Sequence, residues 1–330
     1  MTQIAQIEEP SKTVLVTGAA GFIGSHTVDA LLAAGHYVVG IDNFRTGKRE
    51  NLSEAARSNR FRFIEGDLLN TTVLNKVCAY AKPNAVIHLA ALVSVPESIS
   101  HPEENFRLNV LATHVIGEWS RRYGVQRLVF ASSAAVYGID TQAPLDEETA
   151  CVPQSPYGAA KLASEVLLLS YSRSFGLTVR SQRYFNVYGP RQDSSSPYSG
   201  VISRFAAASY RGERITIHGD GEQTRDFIAV SDVAEANARA ATAPGLPSGT
   251  VNICTGRSIS LNQLADLLGR LCGHTVPRGT AAARPGDIRH SLGSAERARR
   301  ELNFVPSTAL ETGLSAYLAS LRLSPPPPSL

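Results

Sequence analysis

The sequence predicts an α/β protein built on a doubly wound, parallel sheet. Three observations point there: short apolar runs rich in β-branched residues, helical segments between them, and a glycine-rich turn after the first run. The run Thr13-Val14-Leu15-Val16 lacks polar alternation, as a strand covered on both faces does. Ile23 to Ala34 reads as the first helix, closed by Gly35. Further strands are expected at Tyr37 to Ile41, Phe61 to Ile64, Ala85 to Leu89 and Arg127 to Ala131, with helices at Glu103 to Tyr123 and Tyr157 to Phe175. After about Tyr184 the alternation loosens. Helices are expected near Val201 to Tyr210, Asp232 to Ala243 and Leu261 to Leu271, and a strand at Val251 to Cys254. A smaller C-terminal lobe, partly interleaved with the sheet, accounts for this change.

The chain has 330 residues, of which 43% are apolar and 18% charged, enough to bury a core and too apolar for global disorder. A net charge of +3 gives no electrostatic case for nucleic acid. Val86 to Val95 is among the longest apolar stretches and falls far short of the roughly 20 residues that span a bilayer. The N-terminus shows no basic segment leading into an apolar run, so a cytoplasmic enzyme without a membrane partner is expected. Cys78, Cys151, Cys254 and Cys272 are widely spaced, with neither a C-x-x-C pair nor a histidine cluster at metal spacing. No metal and no disulfide scaffold is expected.

The segment Val16-Thr17-Gly18-Ala19-Ala20-Gly21-Phe22-Ile23-Gly24 follows a strand and opens a helix. Gly18 permits the tight turn, Gly21 lets the backbone approach a pyrophosphate, and Gly24 lets helix and strand pack closely. The helix N-terminus then offers unpaired N–H groups to phosphate oxygens. Asp42 ends the next strand, where a carboxylate accepts from both ribose hydroxyls and repels a 2′-phosphate, so NAD is favoured over NADP. A turn cap is the plainer reading of Asp42. Asp67, after the third strand, fits a loop cap and an adenine contact equally well.

In Ser155-Pro156-Tyr157-Gly158-Ala159-Ala160-Lys161, Ser155 can cap a helix and Pro156 suits its first position. Tyr157 and Lys161 then stand side by side at i and i+4. A phenol near pKa 10 is a weak base at neutral pH, but an adjacent ammonium and an oxidised nicotinamide both favour its phenolate. Such a pair can take a proton from a sugar hydroxyl.

With these motifs stand His88-Leu89-Ala90-Ala91 and Ser132-Ser133-Ala134-Ala135-Val136-Tyr137-Gly138, and together they resemble the extended short-chain dehydrogenase/reductase family. Arg183-Tyr184-Phe185-Asn186-Val187-Tyr188-Gly189-Pro190-Arg191, Gly221 to Phe227 and Arg284-Pro285-Gly286-Asp287 are similar to segments of the nucleotide-sugar 4-epimerases within it. The resemblance runs from about residue 13 to 320. It implies a Rossmann domain over 13–185, a UDP-sugar lobe over 186–322, and tails over 1–12 and 323–330. It also implies that Phe22, Ile23, Asn43 and Leu68, then Leu89, Ala90, Ala91 and Tyr184, border NAD. Ser133 would bond the sugar O4 beside Tyr157. Val93, Asn109, Asn186 and Val201 would line the substrate, Arg225 and Arg284 would hold its pyrophosphate, with Arg191 a weaker candidate, and Asp287 would take the uridine ribose. For Ser133 and Asn109 the plainer readings are a turn cap and a buried amide. His88, His218 and His290 have no evident catalytic partner.

Dehydratases in the resembling family carry Asp and Glu directly after the strand-end Thr or Ser, where this chain has Ala134 and Ala135, so elimination lacks its acid and base. The resemblance therefore implies 4-epimerisation: Tyr157 takes the O4 proton, C4 gives up hydride, and the 4-keto sugar turns over before hydride returns. A reductase or dehydratase-like enzyme on the same scaffold, and a non-catalytic NAD-binding module, are the competing readings. Ser291 falls where a bulky Tyr restricts the resembling enzymes to plain hexoses. A small residue leaves room for an N-acetyl group, favouring UDP-N-acetylglucosamine, with UDP-glucose also accepted. A homodimer through the helices Glu103 to Tyr123 and Tyr157 to Phe175 is implied by the same resemblance.

Overall fold

The computed structural model describes residues 11–80, 82–139, 143–193, 200–283 and 288–322. The first half alternates β1 (Thr13–Thr17), α1 (Phe22–Ala33), β2 (Tyr37–Asp42), β3 (Phe61–Glu65), α2 (Thr71–Tyr80) and β4 (Ala85–His88). Helices α3 (Val95–Ser100), α4 (Pro102–Asn105) and α5 (Ala112–Arg122) lead to β5 (Arg127–Ser133), α6 (Pro156–Phe175) and β6 (Thr178–Tyr184). The second half holds β7 (Asn186–Tyr188), α7 (Val201–Arg211), β8 (Ile215–His218), β9 (Thr224–Arg225), β10 (Phe227–Ala229), α8 (Val230–Thr242) and β11 (Gly249–Ile253). It closes with β12 (Ile259–Ser260), α9 (Leu261–Cys272), β13 (Arg278–Ala281), α10 (Glu296–Leu302) and α11 (Leu310–Arg322).

Seven strands form one sheet in the order β11-β6-β5-β4-β1-β2-β3, every pair parallel. Alternating side chains of β1 serve opposite faces. Val14 and Val16 enter the core that includes residues of α1 and α8, and Leu15 enters the one that includes residues of α2, α5 and α6. This two-sided burial is why the run is apolar throughout. Chain order reverses between β1 and β4, and the crevice at their C-terminal ends is where doubly wound sheets bind ligands. Three short strand pairings and α7, α9 and α11 build the smaller lobe around a third core that includes Phe205, Leu264 and Tyr317.

The structure departs from expectation in two places. The helix expected over Glu103 to Tyr123 is divided: α4 ends at Asn105, a π-helical turn spans Phe106–Leu111, and α5 continues from Ala112. Strand β6 is an unanticipated member of the sheet because Arg180, Ser181, Gln182 and Arg183 are buried polar residues. Some of their polar atoms find protein partners in place of water: Arg180 pairs with Glu301 at 2.8 Å, and Gln182 donates to the Ala236 carbonyl at 3.1 Å. Among the described residues the four cysteines form no disulfide. Among the described residues no helix is long and apolar enough to cross a membrane.

Candidate active site

The glycine turn makes the first half of the site. Gly18 has φ of 70°, and a Cβ on Gly24 would lie 1.9 Å from the Gly18 carbonyl oxygen, so only glycine lets α1 start this close to β1. The backbone there is left open for a pyrophosphate at the helix N-terminus. Asp42 Oδ2 accepts from the Ala20 N–H at 2.9 Å and Oδ1 from the Phe44 N–H at 2.7 Å. It therefore braces the turn, while a carboxylate keeps further lone pairs for a ribose diol. Burial pushes its carboxyl above the usual range, and those backbone N–H groups oppose the rise. Asn43 caps the Arg45 N–H, and Asp67 caps the Leu69 N–H at 2.9 Å and meets the Asn43 amide at 3.4 Å. Leu68 is buried in the core rather than turned outward. Phe22 and Ile23 are half-buried at the start of α1.

Leu89 and Ala90 donate backbone N–H groups to Thr17 Oγ1 at 3.2 and 3.3 Å. The same hydroxyl meets His88 Nδ1 at 2.7 Å, and His88 Nε2 meets Thr113 at 3.2 Å. Burial pushes His88 down to about 3, so it is a neutral brace between β1, β4 and α5. Ala91 is half-buried beside this loop and Val93 is exposed. Asn109, in the π-helical turn, uses its amide on the chain itself. It accepts from Leu92 N–H at 3.1 Å, donates to the Leu92 carbonyl at 2.9 Å and to Asn105 Oδ1 at 2.7 Å. Through these bonds Asn109 clamps Leu92 to the π-helical turn.

Helix α6 carries Tyr157 and Lys161. Ser155 accepts from Gly158 N–H at 3.1 Å and Pro156 occupies the first turn, a cap worth about 1 kcal/mol. A Cβ on Gly158 would stand 2.6 Å from the Ala135 carbonyl, so glycine there brings Tyr157 against the end of β5. The Tyr157 N–H donates to Ser98 Oγ at 3.1 Å, and Asn105 donates to the Pro156 carbonyl at 3.0 Å. Ser133 caps the Ala135 N–H at 3.2 Å and interacts with the Tyr157 side chain.

The electrostatics differ from the sequence expectation. Burial pushes the Tyr157 phenol above its ordinary value, and Ser133 pulls it part of the way back. The Lys161 ammonium donates to the Ala131 carbonyl at 2.7 Å and lies 5.8 Å from the Tyr157 ring centroid. Burial holds Lys161 down at about 7, opposed by Glu165. In the protein alone desolvation outweighs the ammonium.

Tyr184 pairs with Ser133 across β5 and β6, but its hydroxyl is taken by Asn237 Oδ1 at 2.5 Å inside the core. Asn186 donates its side-chain and backbone N–H groups to the Asp226 carbonyl at 3.0 and 3.1 Å. Arg225 Nη1 donates to the Thr224 and Ile288 carbonyls at 2.8 and 2.7 Å. Val201 opens α7 beside the small core. Ser291 is buried, its N–H on the Thr224 carbonyl at 3.1 Å. Arg191 pairs with Asp29 of α1 at 2.7 Å. Arg284 and Asp287 lie outside the described residues.

Asp226 went unassigned in the sequence reading. It is fully buried and accepts from the N–H groups of Thr255, Gly256 and Gly293 at 2.9, 3.0 and 3.3 Å, and from the Thr255 hydroxyl at 2.6 Å. Its carboxylate thereby ties the start of β10 to the Thr255–Gly256 turn and to Gly293 near Ser291, while its backbone carbonyl holds Asn186. Its position between Arg225 and Phe227 was the available signal.

A sheet with this strand order, a glycine turn at its crossover and a Ser–Tyr–Lys group at its C-terminal edge define a short-chain dehydrogenase/reductase. The chain belongs to the NAD dependent epimerase/dehydratase family, whose model matches residues 14–254. It is 39% identical over 312 residues to a UDP-glucose 4-epimerase of Mycolicibacterium smegmatis, covering 93% of this chain and 98% of that one. It superposes with a TM-score of 0.88 on UDP-glucose 4-epimerase of Thermotoga maritima bound to UDP-glucose, at 36% identity over 94% of this chain and 99% of that one. For UDP-N-acetylglucosamine 4-epimerase of Methanobrevibacter ruminantium the TM-score is 0.90, at 37% identity over 96% and 99%. NAD is the cofactor, and the Gly18–Gly24 cradle and Asp42 fit it.

Proposed function

We propose that this NAD-dependent UDP-sugar 4-epimerase interconverts UDP-N-acetylglucosamine and UDP-N-acetylgalactosamine, and accepts UDP-glucose as well. Ser291 carries the reading. It is 5% exposed, two heavy atoms beyond the backbone, and its backbone N–H is held by the Thr224 carbonyl beside Arg225. A small side chain there leaves volume for a 2-acetamido group, and extra volume excludes a plain hexose only weakly. Relatives named for each sugar support a scaffold able to serve both.

In this reading residues 13–185 hold NAD and 186–322 grip the UDP-sugar. NAD, held by the Gly18–Gly24 cradle and Asp42, would supply the reversible hydride acceptor for C4. Tyr157, as phenolate, accepts the O4 proton, and Ser133 fixes O4 and shares its hydrogen bond with the phenol. Lys161 supplies positive charge beneath the ring and favours the phenolate. Arg225 and Arg284 anchor the pyrophosphate by guanidinium forks, and Asp287 the uridine ribose, while the sugar turns over. Two copies pair through α4, the π-helical turn after it, α5 and α6, where Phe106, Leu111 and Val166 are exposed apolar side chains.

Incubating the NAD-loaded enzyme with each of UDP-glucose, UDP-galactose and their N-acetylated counterparts, and resolving products by chromatography, tests this. Interconversion of the acetylated pair without net change in nicotinamide absorbance is expected. Conversion of plain hexoses alone overturns the substrate assignment, and stoichiometric NADH consumption overturns the redox-neutral cycle.

A further inference from the structure

Three consecutive residues of β5 meet one face of α6. The Ala131 carbonyl accepts from Lys161, the Ser132 hydroxyl donates to Glu165, and the Ser133 hydroxyl bonds Tyr157. Glu165 stands one turn beyond Lys161 and two beyond Tyr157, so Tyr157, Lys161 and Glu165 share a helical face. From β6, the strand residue registered beside Ser132, Arg183, grips Glu165 with a fork: Nε to Oε1 at 3.0 Å and Nη2 to Oε2 at 2.8 Å. Glu165 and Arg183 are both at least 95% buried, at 2% and 5% exposure.

A buried ion pair costs so much desolvation that well-packed apolar residues of similar volume would hold β6 to α6 at least as well. This pair instead places a fixed negative charge one turn from a buried ammonium. We propose that Glu165 is a positioning residue for the proton transfer: oriented by Arg183 and Ser132, its carboxylate keeps Lys161 charged and seats Ser133 against Tyr157. This rests on the Tyr157–Lys161 reading above.

The surroundings are consistent with that role. The groups facing Lys161 are His88 from β4, the Tyr157 phenol and Glu165, with the Phe130 ring 4.9 Å beneath. His88 is neutral, so it adds no opposing charge. Around Glu165 stand Arg183, the Tyr137 ring 4.8 Å from the guanidinium, and the Cys151 thiol, which burial pushes up and keeps protonated. Glu165 therefore provides the negative charge that opposes desolvation of the lysine.

The test is the kcat–pH profile of the NAD-loaded enzyme, with UDP affinity by calorimetry as a binding control. Activity that needs Lys161 protonated is present below its pKa and lost as pH rises through it. In Glu165→Gln the alkaline limb is expected to move down by about one pH unit, the scale of one nearby charge, with UDP affinity unchanged. Glu165→Asp keeps the charge and is expected to restore the limb while kcat stays reduced. Arg183 left alone is a buried unpaired charge, so Glu165→Gln/Arg183→Met serves if the single variant fails to fold, with the same downward movement expected. A kcat lowered equally at every pH, with the limb unmoved in whichever of these variants folds, overturns the proposal and leaves Glu165 a packing residue. An active Lys161→Met enzyme instead overturns the underlying site reading.

Discussion

Lys161 and Tyr157 stand one turn apart on α6, yet the ammonium donates to the Ala131 carbonyl at 2.7 Å and not to the phenol. Ser133 is the group that bonds the phenol directly. In the proposed mechanism the lysine acts on Tyr157 through space, and the proton passes between Tyr157 and the sugar hydroxyl. Tyr157→Phe keeps the ring packing and deletes that oxygen. Turnover is expected to fall about a thousandfold, within the range for losing a general base, with UDP affinity unchanged by calorimetry.

Gly24→Ala tests the cofactor cradle. Its Cβ would sit 1.9 Å from the Gly18 carbonyl, so α1 must shift away from β1. A loss of about 2 kcal/mol, typical of overpacking, is expected in thermal or denaturant melts. The purified variant is expected to hold much less NAD by absorbance after release. Native NAD content would contradict the cradle.

Burial of Lys161 makes the stability of the ligand-free protein depend on pH. The lysine in the folded protein releases its proton near about 7, against an ordinary value of 10.5. Between those values the unfolded chain binds one proton more than the folded one, so stability rises with pH across that window. Relative to Lys161→Met, the unfolding free energy is expected to climb above pH 7 with a slope of at most about 1.4 kcal/mol per pH unit. Denaturant melts of both proteins from pH 6 to 10 measure it.

Substrate choice is tested at Ser291. Ser291→Tyr fills the volume assigned to the acetamido group. Its kcat/KM is expected to fall at least about tenfold more for UDP-N-acetylglucosamine than for UDP-glucose. Equal losses on both substrates would remove Ser291 from the specificity determinants.

Local sterics made much of this readable from sequence. The Gly18–Gly24 turn, the Ser155-Pro156 helix start and the apolar β1 run each express their constraint within a few residues. Strand β6 was hidden because Arg180, Gln182 and Arg183 find partners in Glu301, the Ala236 carbonyl and Glu165, all remote in sequence. The π-helical turn at Phe106–Leu111 was equally hidden, since its apolar periodicity differs from that of an α-helix by a single residue. Asn109 and Tyr184 were named as ligand-facing from resemblance. Their side-chain polar groups are occupied by Leu92, Asn105 and Asn237, which only three-dimensional placement reveals.

The most direct measurement follows a deuterium label at C4 of the UDP-sugar through turnover by the NAD-loaded enzyme, read by mass spectrometry and NMR of the product. A hydrogen lifted and returned inside one closed site keeps its label, so deuterium is expected to remain at C4 of the epimer. Loss of the label to solvent, or its appearance in released cofactor, would contradict the account.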